Sequence, residues 1–428
     1  MGERADTGQA RGTASVDTLR RLVLDLLSDI VDVTPDRIAG LMPADWDRLL
    51  AIVSQHRLGA QLDWQVRRRH AALPIPVAVM AELGKARSHF AMRQLGMQYE
   101  LCAAHKLLAA AGIPAIALKG AFLAFHAYPD AALRPLRDLD LLVPEDRAIE
   151  AFELLIANGA IQCNAGETRL EFALRVDAHH LPILWTPSGF GKIEVHRHIQ
   201  KINGVRAAAR NALLVEALWA HAVEAPVAGT PIRFPAPTDL LLHLVMHAAY
   251  DHILNNGPLV LSDIAFLLHG HAIDWPRFWA LADAADATRG AVLLFDLAER
   301  YWGALPIAWS AEATTVRDAL GGIREPAALL MLQDRELGGE IWRLRDDGTS
   351  HRFRQTVRRV VSRVFVSRLE MEMLYGVDAR SPLVYLHYPR RWWSLLTRRL
   401  PHSLRARRRD GLREQQMIDA DVAQWLRA

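Results

Sequence analysis

Apolar residues recur at helical spacing along most of this chain, and the exceptions are confined to its middle. "VDTLRRLVLDLLSDI", "ADWDRLLAIVSQHRLGAQLDWQV" and "VMAELGKARSHFAMRQLGMQYELCAAHKLLAAAG" all show the helical period, which predicts helices through the N-terminal region. At "IPAIALKG" the period changes. A short apolar run bounded by Pro114 and Gly120 reads as a buried strand, and Gly112 ends the helix before it. "AFLAFHAYP" returns to helix, "LRPLRDLDLLVP" reads as a second strand closed by Pro144, and "PEDRAIEAFELLIANGA" as a helix with Pro and acids in its first turn and Gly159 past its end. "HHLPILWTP" and "GKIEVHRHI" predict two further strands, antiparallel across the tight "PSGFG" turn.

From Ala208 onward the spacing is helical again, through "NALLVEALWAHAVEA", "PTDLLLHLVMHAAYDHIL", "VLSDIAFLLHGH", "DWPRFWALADAAD" and "AVLLFDLAERYWG". The pattern therefore predicts an α+β protein: a compact core of about four strands over residues 112–200, flanked by α-helical regions. No repeat of fixed period occurs.

Composition narrows this picture. Half the 428 residues are hydrophobic and about a quarter are charged, which is globular rather than disordered or fibrous. The opening "MGERADTGQARGTAS" lacks the apolar h-region of a signal peptide, and no uninterrupted apolar run reaches the ~18 residues of a membrane span, so the expected location is cytoplasmic with no transmembrane segment. Cys102 and Cys163 supply neither a disulfide framework nor a zinc cluster and read as small buried hydrophobes. The net charge of +3 is unevenly spread: residues 352–413 hold sixteen Arg, no Lys and four acids, with "PRRWW" at 389–393. That stretch fits weak contact with nucleic acid or an anionic membrane surface, and equally a solvated helix pair with Trp392 and Trp393 packed underneath.

The candidate chemistry lies in "RDLDLLV", residues 137–143. On a strand, Asp138 and Asp140 point to the same side, and two like charges that close repel unless something positive sits between them. A solvated edge strand would also tolerate them, but Leu139, Leu141, Leu142 and Val143 argue for burial, where unpaired acids are rare. Glu194, in the alternating "KIEVH", shares its face with His196 and His198 and brings a third acid. Mg²⁺, held by carboxylates together with triphosphate oxygens, is the expected cation, with Mn²⁺ as an alternative.

A glycine turn, an Asp-x-Asp strand and a later lone acid resemble the pattern of the DNA polymerase β-like nucleotidyltransferase superfamily. More narrowly, "LKGAFLAFHAYPDAALRPLRDLDLLVPEDRAIEAFELLIANG", "HHLPIL", "IEVHRHI" and "PTDLLLHLVMHAAYDH" with "LSDIAFLL" resemble its uncharacterised bacterial nucleotidyltransferase family, over roughly residues 85–300. The resemblance implies Asp138 and Asp140 as metal ligands, with Glu194 as third ligand or as the base for the acceptor hydroxyl. It implies Gly120 as the turn whose backbone N–H groups face phosphate at a helix start. The usual turn of the superfamily is Gly-Ser or Gly-Gly, whereas this chain has Lys119-Gly120-Ala121, so Lys119 would replace the missing hydroxyl as a phosphate-binding cation. Arg134 would neutralise phosphate charge in preference to Arg137, which lies on the strand face opposite Asp138.

These expectations divide the chain into a disordered lead (1–16), a helical region (17–111), a nucleotidyltransferase α/β core (112–205), a helical acceptor-binding region (206–340) and a basic C-terminal region (341–428). The expected activity is Mg²⁺-dependent transfer of a nucleoside monophosphate from a nucleoside triphosphate such as ATP to an acceptor hydroxyl, on a small molecule, peptide, protein or RNA. A nucleotide-binding regulator that has lost the chemistry is the alternative. His243 and His247, four apart with Asp251, His252 and Asp263 following, could bind a second metal, and equally fit core and capping histidines.

Overall fold

The computed structural model of the chain describes residues 13–163, 170, 179–200, 205–333, 371, 381–394 and 420–427. The polar lead to residue 12 and most of the Arg-rich stretch 352–413 lie outside the described residues. The protein is α+β, mostly helical with one five-stranded and one two-stranded sheet. It forms two compact units, each discontinuous in sequence: Met1–Leu95 with Gly120–Leu136 and Leu241–Asp334, and Gly96–Lys119 with Arg137–Leu240 and Arg335–Ala428.

The first unit is helical. Ser15 caps the helix Val16–Leu27 by accepting a hydrogen bond from the Thr18 N–H at 3.1 Å, and the apolar stripe Leu19, Leu22, Val23 and Leu26 is buried to 2% exposure or less. The helical period read through residues 44–66 is interrupted in the structure. Pro43–Gln55 and Gly59–Arg69 are separate helices, because the chain reverses at Arg57 through a left-handed φ of 58°. Gly59 opens the second of these against Ala86, on the helix Val77–Ala110, so closely that a Cβ at position 59 would stand 2.6 Å from the Ala86 Cβ. Neither atom belongs to a flexible side chain. Gly59→Ala is therefore expected to destabilise the protein by about 1–3 kcal/mol, read as a lower urea midpoint at unchanged slope.

The second unit carries the five-stranded sheet. Its strands are β1 (Ile116–Ala117), β2 (Asp138–Leu142), β3 (Ile161–Gln162), β4 (Leu184–Trp185) and β5 (Lys192–His196), in the order β1-β2-β5-β4-β3. β2 and β5 run parallel and every other pair is antiparallel, including β4 and β5 across the "PSGFG" turn as the sequence suggests. β2 is thus an interior strand, which removes the solvated-edge reading of its two acids. Leu139, Leu141, Ile193 and Val195 are at most 1% exposed and form the apolar side of this central pair.

One predicted helix is shorter than its apolar spacing implies. "NALLVEALWAHAVEA" is helical only within Val205–Ala220, and the chain then forms a hairpin of β6 (Val223–Val227) and β7 (Thr230–Phe234). Two residues with positive φ, Ala228 and Gly229, make the turn, as right-handed strand twist requires, and Pro226 could not have continued a helix. Cys102 and Cys163 are both buried, and Cys102 donates to the Val227 carbonyl.

Candidate active site

The parallel pairing of β2 and β5 builds the site. Its register sets Asp140 directly beside Glu194 and Asp138 beside Lys192, so Asp138, Asp140 and Glu194 share one sheet face. His196 lies on the same face, two residues beyond Glu194, with its Nε2 3.3 Å from Asp140 Oδ1 and 3.5 Å from Glu194 Oε2. His180, bridged to His196 by an isolated antiparallel pair, brings its Nε2 within 3.8 Å of Glu194 Oε2. Asp140 is 9% exposed and His196 1%.

Lys119 supplies the positive group that the paired aspartates call for. Its Nζ is 3.1 Å from Asp140 Oδ2, and its side chain is only 15% exposed. The backbone delivers it there at a cost: Lys119 has φ 44°, a left-handed conformation that a residue with a Cβ seldom adopts. At the next position the space is tight: a Cβ on Gly120 would stand 2.8 Å from Leu136 Cδ2, so a larger residue there would require the Leu136 side chain to shift.

These charges polarise one another. Burial is the strongest single influence on the Asp140 carboxyl and pushes it up, but Lys119 and His196 together outweigh it and hold Asp140 well below the usual carboxylate range. Burial also disfavours the charged form of His196, and its two carboxylate neighbours reverse this and raise it to about 9. At Asp138, burial and then the charges of Asp140 and Glu194 push upward to about 6, and the charges of Lys119 and Arg137 pull downward but do not prevail.

Among the described residues, Asp140, Glu194 and His196 form the one group of His, Cys, Asp or Glu side chains whose ligand atoms all lie close enough to share an ion, within 4.8 Å of one another. Two carboxylates and an imidazole converging beside a third carboxylate are a donor set that fits a divalent cation. His243, His247, Asp251 and His252 do not assemble into such a group: His247 Nδ1 lies 3.5 Å from Asp251, its ring packs edge-on against His252, and His243 is buried.

Arg134 lies beside Gly120, its Nη1 3.6 Å from where a Cβ on that glycine would stand. It belongs to the helical unit, where its Nε donates to Asp263 Oδ1 at 2.6 Å, and the same oxygen accepts from the Tyr128 hydroxyl at 2.7 Å. His198 departs from simple alternation. β5 ends at His196, and His198 turns to Asn211 and, at 3.5 Å, to Glu145. Two residues of the site carried no role in the sequence reading. The alternation in "KIEVH" did put His196 beside Glu194, whereas His180 is brought in by a bridge that no local pattern announces.

With the site assembled, comparison with known families agrees. Residues 42–303, more than half of the chain, match the family described as uncharacterised nucleotidyltransferase, and the chain belongs to that family. No curated protein and no solved structure matches it. The family is one of nucleotidyl-transferring enzymes, and a nucleotide is the substrate it implies. No helix among the described residues is long and apolar enough to cross a membrane.

Proposed function

We propose that this chain transfers a nucleoside monophosphate from a nucleoside triphosphate to an acceptor hydroxyl, in a reaction that depends on a divalent cation. The register that sets Asp140 beside Glu194 on adjacent parallel strands, with Asp138 on the same face, is the observation that carries the reading. The acceptor oxygen bonds to the α-phosphorus, the bond from the α-phosphorus to the bridging oxygen breaks, pyrophosphate leaves, and the hydroxyl proton passes to Glu194. A divalent ion held by Asp138, Asp140 and Glu194 would supply charge neutralisation for the triphosphate and the departing pyrophosphate.

The chain's own groups do the positioning. Lys119 is a cation already inside the site, 3.1 Å from Asp140, and can turn to the triphosphate once its place beside that carboxylate is filled. Gly120, directly after it, opens the short helix Gly120–Phe122 and offers its N–H to phosphate. Arg134, whose Nη1 lies beside Gly120, is proposed to neutralise phosphate charge at that turn. The helical region after residue 206 is proposed as the acceptor surface.

The test is incubation of the purified protein with each α-³²P-labelled nucleoside triphosphate and a divalent ion, together with a lysate of its own cells. Label is expected to move to a lysate component and to disappear when EDTA is added. Nucleotide binding without any transfer would favour the regulator reading instead.

A further inference from the structure

The imidazoles, more than the carboxylates, distinguish this site from an all-oxygen cradle. His196 Nδ1 lies 3.1 Å from the His198 carbonyl oxygen. A carbonyl cannot donate, so Nδ1 carries a hydrogen there, which leaves Nε2 as the nitrogen that donates to Asp140 and Glu194 in the metal-free protein and would give up its proton to take an ion. His180 repeats the arrangement, with Nδ1 2.7 Å from the Leu181 carbonyl oxygen and Nε2 3.8 Å from Glu194 Oε2. Two histidines from separate segments thus have their outer nitrogens tied to the main chain and their inner nitrogens aimed at one carboxylate. Histidines that ligate metals are held in this way. Mg²⁺ has little use for them, since it takes oxygen ligands and keeps its waters, whereas imidazole suits first-row transition ions.

We infer that His196 supplies nitrogen ligation, and His180 holds Glu194 in place beside it, so that this site selects a first-row transition ion, Mn²⁺ or a later member of the series, over Mg²⁺. The inference deepens the nucleotidyl-transfer reading and rests on it for the purpose of the ion, though not for the identity of the ligands. It also gives a role to a buried imidazole that phosphate transfer alone does not require.

The test uses the full chain, freed of metal and without nucleotide, titrated calorimetrically with Mn²⁺ and with Mg²⁺ beside His196→Gln and His180→Gln. Almost any site binds Mn²⁺ more tightly than Mg²⁺, so the decisive quantity is how the ratio depends on histidine. His196→Gln is expected to lower Mn²⁺ affinity by ~10–100-fold while Mg²⁺ affinity changes far less, and His180→Gln to lower it in the same sense by a smaller factor. Pulsed EPR of Mn²⁺ on the wild-type protein needs no variant and should show imidazole-nitrogen coupling. Absence of that coupling, failure of Mn²⁺ to bind, or an equal loss of both ions in His196→Gln would overturn the inference. Nitrogen coupling in a protein that transfers no label would sink the proposed function and leave the inference standing. Transfer supported by Mg²⁺ in a protein without nitrogen coupling would do the reverse.

Discussion

Asp140→Asn should abolish label transfer and weaken the fold in the same step. Asp140 is the carboxylate on which the site converges, with Lys119 Nζ at 3.1 Å and His196 Nε2 at 3.3 Å, and it lies in an interior strand. An amide keeps the shape and removes the charge, so the Lys119 ammonium and the His196 imidazole both lose the buried carboxylate they share. Breaking one side of a buried pair costs about 3–5 kcal/mol, because the remaining charge stays desolvated. The sign with pH follows from the depressed carboxyl: its stabilisation is present above the unfolded carboxylate range and is lost as pH falls through the lower folded value. Urea unfolding in EDTA should therefore show wild type well above Asp140→Asn near neutrality, with the two converging toward strong acid. Loss of the ligand should also reduce transfer by roughly 10³-fold or more, several kcal/mol of charge stabilisation at about 1.4 kcal/mol per tenfold. A variant as stable as wild type near pH 7 would mean that Asp140 and Lys119 are not paired in solution.

Asp138→Asn, two residues away on the same face, should abolish transfer and yet stabilise the metal-free protein. Burial and two neighbouring carboxylates raise Asp138 to about 6, so near pH 7.5 the wild type holds an ionised group in a place that disfavours it. A folded value above the unfolded one gives stability that is fully present below the unfolded range and lost as pH rises through about 6. Asparagine mimics the protonated form and escapes that loss. The expected gain is ~2–3 kcal/mol near pH 7.5, from a rise of about two units at 1.36 kcal/mol each, shrinking toward zero at about pH 4. The check is the urea midpoint of both proteins in EDTA at the two pH values. Saturating divalent ion should then favour the wild type alone, since only its carboxylate can repay the charge. A lower midpoint for Asp138→Asn near pH 7.5 would show that some other cation already satisfies this residue in the metal-free state. Opposite stability effects of two aspartates on one strand face, with the same loss of activity, are the signature to look for.

The strand positions of the three acids were legible in the sequence because they rest on period two and on flanking Leu, Ile and Val, which speak locally. The same is true of the Gly112 and Gly159 helix ends, both with positive φ. The position of Lys119 was not. A sequence shows a lysine before a glycine turn, but only the fold shows that the lysine takes the left-handed backbone and meets Asp140 instead of open cleft. The ion pair of Arg134 was hidden for a related reason: Asp263 lies 129 residues further along. The hairpin of β6 and β7 was masked by the alanines around it, which suit a helix as readily as a strand until Pro226 and the Ala228-Gly229 turn decide the matter.

The parallel pairing of β2 and β5 also acts as a proofreading device for the chemistry. Side chains alternate, so sliding β5 by a single residue would set Ile193 or Val195 beside Asp140 in place of Glu194 and turn Glu194 and His196 away from it. The same slip would carry Ile193 and Val195 off the apolar side and press Glu194 and His196 onto Leu139 and Leu141, so the burial that closes the sheet also fixes which side the acids face.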